Sequence, residues 1–103
     1  WVETPKMIFE NNAKIANKFF NNTLGVIEEG AYGDVIIVEY NPLTPMTKDN
    51  YNSHIVFGMC GKCVLTTIVN GKVLMKDREL VGIDEEKIFS KSRELSKKLW
   101  DRI

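Results

Sequence analysis

Asn70-Gly71 sits between two β-rich runs, Val64–Val69 and Lys72–Lys76, and this arrangement constrains the fold more than any other stretch. Asn-Gly accepts the two positive φ angles of a type I′ turn, whose twist matches that of the flanking strands. A two-residue loop also sets the register. The expected pairs are Val69 with Lys72, Ile68 with Val73, Thr67 with Leu74 and Thr66 with Met75. One face then collects Val64, Thr66, Ile68, Val73 and Met75 and is nearly all apolar. The other carries Leu65, Thr67, Val69, Lys72, Leu74 and Lys76 and is mixed. Such a hairpin has to bury one face and partly cover the other, which two strands alone cannot do.

Around the hairpin the chain reads as a small α+β unit. Thr4-Pro5 offers a hydroxyl cap followed by Pro at a first helical position. A helix is expected over residues 6–20, with Ile8, Ile15, Ala16 and Phe19 on one face and Asn11-Asn12 interrupting the stripe. Asn21-Asn22 and Gly25 end it. Val26 to Gly30 reads as a short extended piece and a turn. Residues 34–40 carry a continuous β-branched core, which fits a strand buried on both faces. Asn41-Pro42 and Thr44-Pro45 break that strand, and residues 41–52 are expected to form a surface loop. Residues 53–58 fit a strand or a short helix. Met59 to Cys63 is a turn, Asp77 to Glu79 is another, and Leu80-Val81 has room for a brief pairing. Asp84 caps a final helix over 84–102, with Glu85 and Glu86 at its start and Lys97 and Lys98 near its end. Ile88, Leu95 and Leu99, with Phe89 and Trp100 beside them, form its apolar stripe, and Glu94 and Lys98 form an i,i+4 pair.

Length and charge narrow the function. A chain of 103 residues supports one domain with a modest core. Lys+Arg and Asp+Glu balance at 14 each, which removes the electrostatic case for nucleic acid or an anionic membrane. No apolar run approaches the roughly 20 residues of a membrane-spanning helix. No basic-then-apolar leader is seen. Two cysteines make no disulfide framework and favour a reducing, cytoplasmic compartment. The chain opens on Trp-Val-Glu-Thr without an initiator Met, as a processed protein or a piece of a longer one would.

Few residues offer chemistry. His54 is the single histidine, whereas a catalytic zinc centre usually takes three protein ligands, mostly His. Beside Ile-Val-Phe it reads as a half-buried structural residue. Cys60-Gly-Lys-Cys63 has the C-x-x-C spacing of a metal-holding turn or a redox dithiol, but it precedes a strand rather than opening a helix. Two thiols in a turn is the plainer account. Asp34, Glu39, Asp77, Asp84, Glu85 and Glu86 fall at turns and helix starts, where capping explains the last three. No Gly-rich phosphate loop occurs, and the aromatic residues lack RNA-platform spacing.

Four stretches, in order, resemble the C-terminal end of the amidohydrolase superfamily. Leu24 to Gly30 followed by Asp34 to Glu39 resembles the family's L-G-x-L-x-x-G-x-x-A-D passage and the hydrophobic strand after it. His54 to Phe57 resembles the short segment before the last hairpin. Val64 to Met75 resembles the family's V-x-x-V-x-V-(N/D)-G-(K/R) hairpin, and Ile83 to Glu86 with the final helix resembles its closing helix. The stretch Val69 to Glu86 is most similar to the SsnA-type aminohydrolases, near the chlorohydrolase and guanine-deaminase-like members. Gly33 stands where Ala is usual and Glu39 where Asp is usual, and Cys60 and Cys63 belong to no family motif.

The resemblance implies a C-terminal portion of a metal-dependent aminohydrolase that cleaves non-peptide C–N bonds with metal-activated water. In this reading the chain alone is not an enzyme. It holds no catalytic, cofactor-binding or metal-binding residue and no cofactor. A divalent metal, with zinc the first expectation, belongs to the full-length parent. The fold class implied is α+β: a small, mostly antiparallel sheet, half of a composite β-sandwich, flanked by an N-terminal and a C-terminal helix. Residues 6–20 would be a barrel-side helix, 24–81 the sandwich strands and 84–102 the closing helix. Its partners would be the barrel and the N-terminal sandwich strands, with no nucleic acid and no membrane. In isolation, strand edges and uncovered apolar faces would favour a homo-oligomer or a domain swap. The alternative is a free-standing α+β module that binds by strand addition. A third possibility is a small metal or redox protein built on Cys60 and Cys63.

Overall fold

Four antiparallel strands in the order β1-β2-β3-β4 form the centre of the chain in a computed structural model that describes residues 3–103. The strands are β1 (Val35–Val38), β2 (Val64–Val69), β3 (Lys72–Lys76) and β4 (Glu79–Leu80). Among the described residues three helices and a single 3₁₀ turn, Gly61–Cys63, accompany them, so the fold class is α+β.

The Asn70-Gly71 turn forms as its chemistry dictates, with φ of 49° and 74°. Asp34 and Gly33 hold it from outside. The Asn70 N–H donates to Asp34 Oδ1 at 2.6 Å, and the Gly71 N–H donates to the Gly33 carbonyl at 2.9 Å. A Cβ on Gly33 would lie 3.0 Å from the Gly71 nitrogen, so the close approach favours glycine there.

Only the first two expected hairpin pairs survive. Val69 faces Lys72 and Ile68 faces Val73, but Thr67 then faces Met75. Leu74 is the extra residue of a β-bulge, and Thr66 loses Met75 as its partner. Leu65 is likewise skipped where Ile37 faces Thr66 and Val38 faces Val64. Bulges bend a strand and leave one residue outside the ladder. Here the two freed groups pair elsewhere: the Leu65 carbonyl accepts from the Arg78 N–H, and the Leu74 carbonyl accepts from the Val81 N–H, both at 2.9 Å.

Asp77 and Arg78 make the second hairpin turn without glycine, at φ of 50° and 67°. Left-handed backbone costs such residues about 1–2 kcal/mol, and Arg78 is tethered on several sides. Its guanidinium reaches Glu39 Oε2 at 2.7 Å and its Nε donates to the Lys62 carbonyl at 3.3 Å. The brief pairing after it involves Glu79 and Leu80 rather than Leu80 and Val81.

The N-terminal helix differs from its expected bounds. It already runs at Glu3, so Thr4 lies inside it, and it proceeds through Glu3–Lys6, a π-helical stretch Met7–Asn11, and Asn12–Ala16. Asn17 ends it earlier than residue 20. The Asn17 side chain donates to the Leu24 carbonyl at 3.1 Å and accepts from the Leu24 N–H at 2.7 Å, folding the chain back. Gly25 then passes so close to the helix that a Cβ would meet Ala13 Cβ at 2.7 Å. The stretch from Val26 to Gly30 is loop and turn rather than extended.

Residues 53–58 are helical. Tyr51–Ser53 and the π-helical His54–Gly58 make one short middle helix. Asn50 sets it up by accepting from the Thr47 N–H at 2.7 Å and donating to the Pro45 carbonyl at 2.9 Å. The C-terminal helix, Glu85–Trp100, starts as expected: Asp84 Oδ1 accepts from the Lys87 N–H at 3.0 Å. Glu94 bridges Lys91 and Lys98, whose ammonium groups hold its carboxyl below the usual range, Lys91 first.

Candidate functional site: an apolar docking surface

Among the described residues no large hydrophobic side chain is fully buried, and Thr66 at the centre of β2 is the buried polar one. The Cα radius of gyration is 18.5 Å, against about 13 Å for a compact domain of this length. The apolar residues are grouped rather than scattered, which marks an interaction surface. On the C-terminal helix Ile88, Leu95 and Leu99 line one side and are all more than half exposed. On β1 Ile36 is 56% and Ile37 50% exposed, so the expectation of a strand covered on both faces fails within this chain. The outer edge of β1 has no strand partner, since β1 is terminal in the sheet.

A groove with apolar walls lies where the N-terminal helix, the middle helix and the sheet meet. It holds about 530 Å³. Ile8 and Phe9 come from the first helix, Ile36, Val38 and Val64 from the strands, and Tyr51, Ile55 and Met59 from the middle helix and its end. A spacing of four puts Tyr51 and Ile55 on one helical face, and Met59 is the extended residue that follows the helix. That spacing was the sequence signal for a helix here, masked by the β-branched Ile55-Val56 pair.

His54 has a specific partner that the sequence did not point to. Tyr40 Oη and His54 Nδ1 share a hydrogen bond at 2.8 Å, with the rings edge to face. Gly58 makes room for it, because a Cβ there would stand 2.0 Å from the Tyr40 hydroxyl. The three line a pocket of about 370 Å³ with Thr44, Asn50, Ser53 and Phe57. No acid or second histidine lines this pocket, so it offers an orienting hydrogen bond and no relay.

The Cys60 and Cys63 sulfurs are 3.8 Å apart, and both thiols are free. Cys60 is exposed. The Lys62 N–H, and after it the Cys63 thiol, hydrogen-bond to its sulfur and hold its pKa below the ordinary thiol value. Of the carboxylates, Asp34 pins the hairpin turn, Glu39 pairs with Arg78 and Asp84 caps the last helix. Glu86 pairs with Arg93. Among the described residues no three His, Cys, Asp or Glu side chains converge in a way that could hold a metal ion. No helix among them is long and apolar enough to cross a membrane.

The comparisons with known proteins agree with one another. A 5-methylthioadenosine/S-adenosylhomocysteine deaminase of Halothermothrix orenii is 38% identical over 95 residues, which is 90% of this chain and 21% of that protein. A 5'-deoxyadenosine deaminase of Methanococcus maripaludis is 36% identical over 93 residues, 88% of this chain and 21% of its own length. A 5-methylthioadenosine/S-adenosylhomocysteine deaminase of Aquifex aeolicus is 34% identical over 104 residues, 95% of this chain and 22% of its own length. The chain therefore spans about a fifth of the length of the curated relatives it matches. These relatives carry the names of adenosine-derivative deaminases. No solved structure matches the chain. Residues 10–74, more than half of the chain, match the model of the amidohydrolase family, and the chain belongs to that family.

Proposed function

We propose that this chain is the C-terminal structural portion of a metal-dependent aminohydrolase, and that its apolar surface is covered in the parent by the barrel and the N-terminal sandwich strands. The observation that carries this reading is a mismatch of lengths: 90% of the chain aligns with a deaminase of which it makes up 21%. The bare helix stripe and the open groove support it, since both are apolar faces built to be covered. Amidohydrolases are generally metal-dependent, and the side chains described here do not fit a metal centre. The catalytic and metal-binding residues are therefore assigned to the rest of the parent, with zinc as the metal and the cytoplasm as the compartment. Residues 6–20 are assigned to the barrel side, 24–81 to the sandwich and 84–102 to the closing helix. The parent's substrate class is an amino-bearing adenosine derivative, by analogy with the named relatives. Cut from the parent, the chain would pair with itself through the free edge of β1.

The test is direct. The native gene product should have a mass several times 11.8 kDa and should release ammonia from 5-methylthioadenosine or 5'-deoxyadenosine. The 103-residue chain should be inert in the same assay and should sediment as more than a monomer. Deamination by the isolated chain, or a native product of its own size, overturns the reading.

A further inference from the structure

We propose that Cys60 and Cys63 form a reversible disulfide by exchange with a low-molecular-weight disulfide such as glutathione disulfide, making the turn into β2 a redox-sensitive site. The sulfurs stand 3.8 Å apart. A disulfide bond is about 2.05 Å long, so the remaining gap is shorter than the bond to be made. Closing it takes rotation about the two side chains.

The turn that carries the two sulfurs is held by hydrogen bonds. The Cys63 N–H donates to the Cys60 carbonyl at 2.9 Å, closing one 3₁₀ turn over Gly61–Cys63. The Cys63 carbonyl accepts from the Glu39 N–H at 2.8 Å, and the Lys62 carbonyl accepts from Arg78 Nε at 3.3 Å. The turn is thus moored to the end of β1 and to the second hairpin turn. Gly61 faces open space, which leaves a path for a small disulfide.

Cys60 is the entering nucleophile, because it is exposed and its thiolate is hydrogen-bonded by the Lys62 N–H. The thiolate is the reactive form in exchange. It attacks one sulfur of glutathione disulfide. A bond forms from Cys60 to that sulfur, the glutathione S–S bond breaks, and one glutathione thiolate leaves. Cys63 then gives its proton to solvent and attacks the Cys60 sulfur, and the second glutathione thiolate leaves. The protein dithiol loses two electrons and two protons, and the small disulfide gains them as two thiols. Reduced glutathione in excess reverses both steps.

Trypsin gives a clean readout, because Lys62 lies between the cysteines. The native full-length polypeptide is incubated with excess glutathione disulfide, blocked with N-ethylmaleimide and digested. Peptides Asp49–Lys62 and Cys63–Lys72 should then appear as one linked species that separates on reduction. Cys63→Ser should halt the reaction with glutathione held on Cys60, and Cys60→Ser should leave Cys63 blocked by maleimide. In the wild type, maleimide on both cysteines, glutathione retained on either, or a bond to a different cysteine overturns the proposal. The wild-type readout needs neither variant to fold and uses no deaminase assay, so its failure is distinct from failure of the proposed function.

Discussion

Gly58→Ala should loosen the middle helix although it replaces the poorest helix former but proline. The backbone at Gly58 is not left-handed, and at such positions Gly→Ala ordinarily stabilises a protein by about 0.4–1 kcal/mol through the unfolded chain. Here the new Cβ would lie 2.0 Å from Tyr40 Oη, 2.8 Å from Cζ and 3.2 Å from Cε2. The hydroxyl and two ring atoms of one side chain are involved, so the whole ring has to move, and the 2.8 Å bond to His54 is lost with it. Overpacking costs about 1–3 kcal/mol in a tight core, and the lower half of that range suits the half-buried Tyr40. The hydrogen bond adds about 0.5–1.5 kcal/mol. After the usual gain is subtracted, a loss of about 1–2 kcal/mol remains, a factor of roughly 5–30 in the local opening equilibrium. Hydrogen exchange on the full-length polypeptide reads this at the Met59 amide, which bonds the His54 carbonyl at 2.9 Å. Its exchange should accelerate by that factor, while amides of the β2–β3 ladder keep their rates. Gly61→Ala, with no neighbour within 4 Å of the new methyl, should show no acceleration. In a Tyr40→Ala background, Gly58→Ala should become neutral or stabilising. Wild-type exchange in Gly58→Ala, or an undiminished effect without the Tyr40 ring, would refute the steric account.

Asp84→Ala removes the acceptor for the Lys87 N–H; loss of such a cap costs about 0.5–2 kcal/mol, seen as faster exchange in the first turn of the C-terminal helix, with Asp84→Ser retaining most of the protection. Leu95→Asp should leave the secondary structure of the 103-residue chain unchanged by circular dichroism, because Leu95 is 52% exposed there. In the full-length polypeptide the same change should cost several kcal/mol, on the scale of about 2–5 kcal/mol for losing a buried leucine, and equal effects in both would refute the covered-stripe reading. For Cys60, a pKa held below the ordinary value means that the thiolate persists as pH falls toward that lowered pKa. Its alkylation by iodoacetamide should therefore rise at lower pH than in the urea-denatured chain, and Cys63→Ala should move the profile upward by removing one of the hydrogen bonds.

The parts legible in sequence are those set by local chemistry. Asn70-Gly71 specified its turn because both residues take positive φ at little cost, and Asp84 specified a helix start because its carboxylate meets an orphan N–H three residues on. The parts that were not legible depend on partners far along the chain. The bulge at Leu74 arises where β3 has to satisfy both β2 and the segment ending at Val81. The strained turn at Asp77-Arg78 is held by Glu39, almost forty positions earlier. The same holds for the candidate site. C-x-x-C announced two neighbouring sulfurs, since three residues of one turn bring them together, whereas the Tyr40–His54 bond depends on how a loop and the middle helix cross.

The pattern of exposure also favours the proposed reading, a piece of a larger body, over a free-standing strand-addition module. A module that binds by offering an edge needs the rest of its sheet to rest on a core of its own, so its exposed apolar surface should lie beside that edge. In this chain β1 does offer an edge, yet the bare surface extends well beyond it. Leu99 and Ile88 are more than half exposed on a helix at the far end of the sequence, and Phe19 is 79% exposed after the first helix. Adding one strand to β1 would cover Ile36 or Ile37 on neither face, because a strand added edge to edge pairs backbones and leaves the faces open. Covering the faces takes a second layer, and covering the helix stripe takes a further packed element. One incoming peptide cannot supply both. A body with a sheet layer and helices of its own can, and that is the architecture the family resemblance implies for the proposed parent.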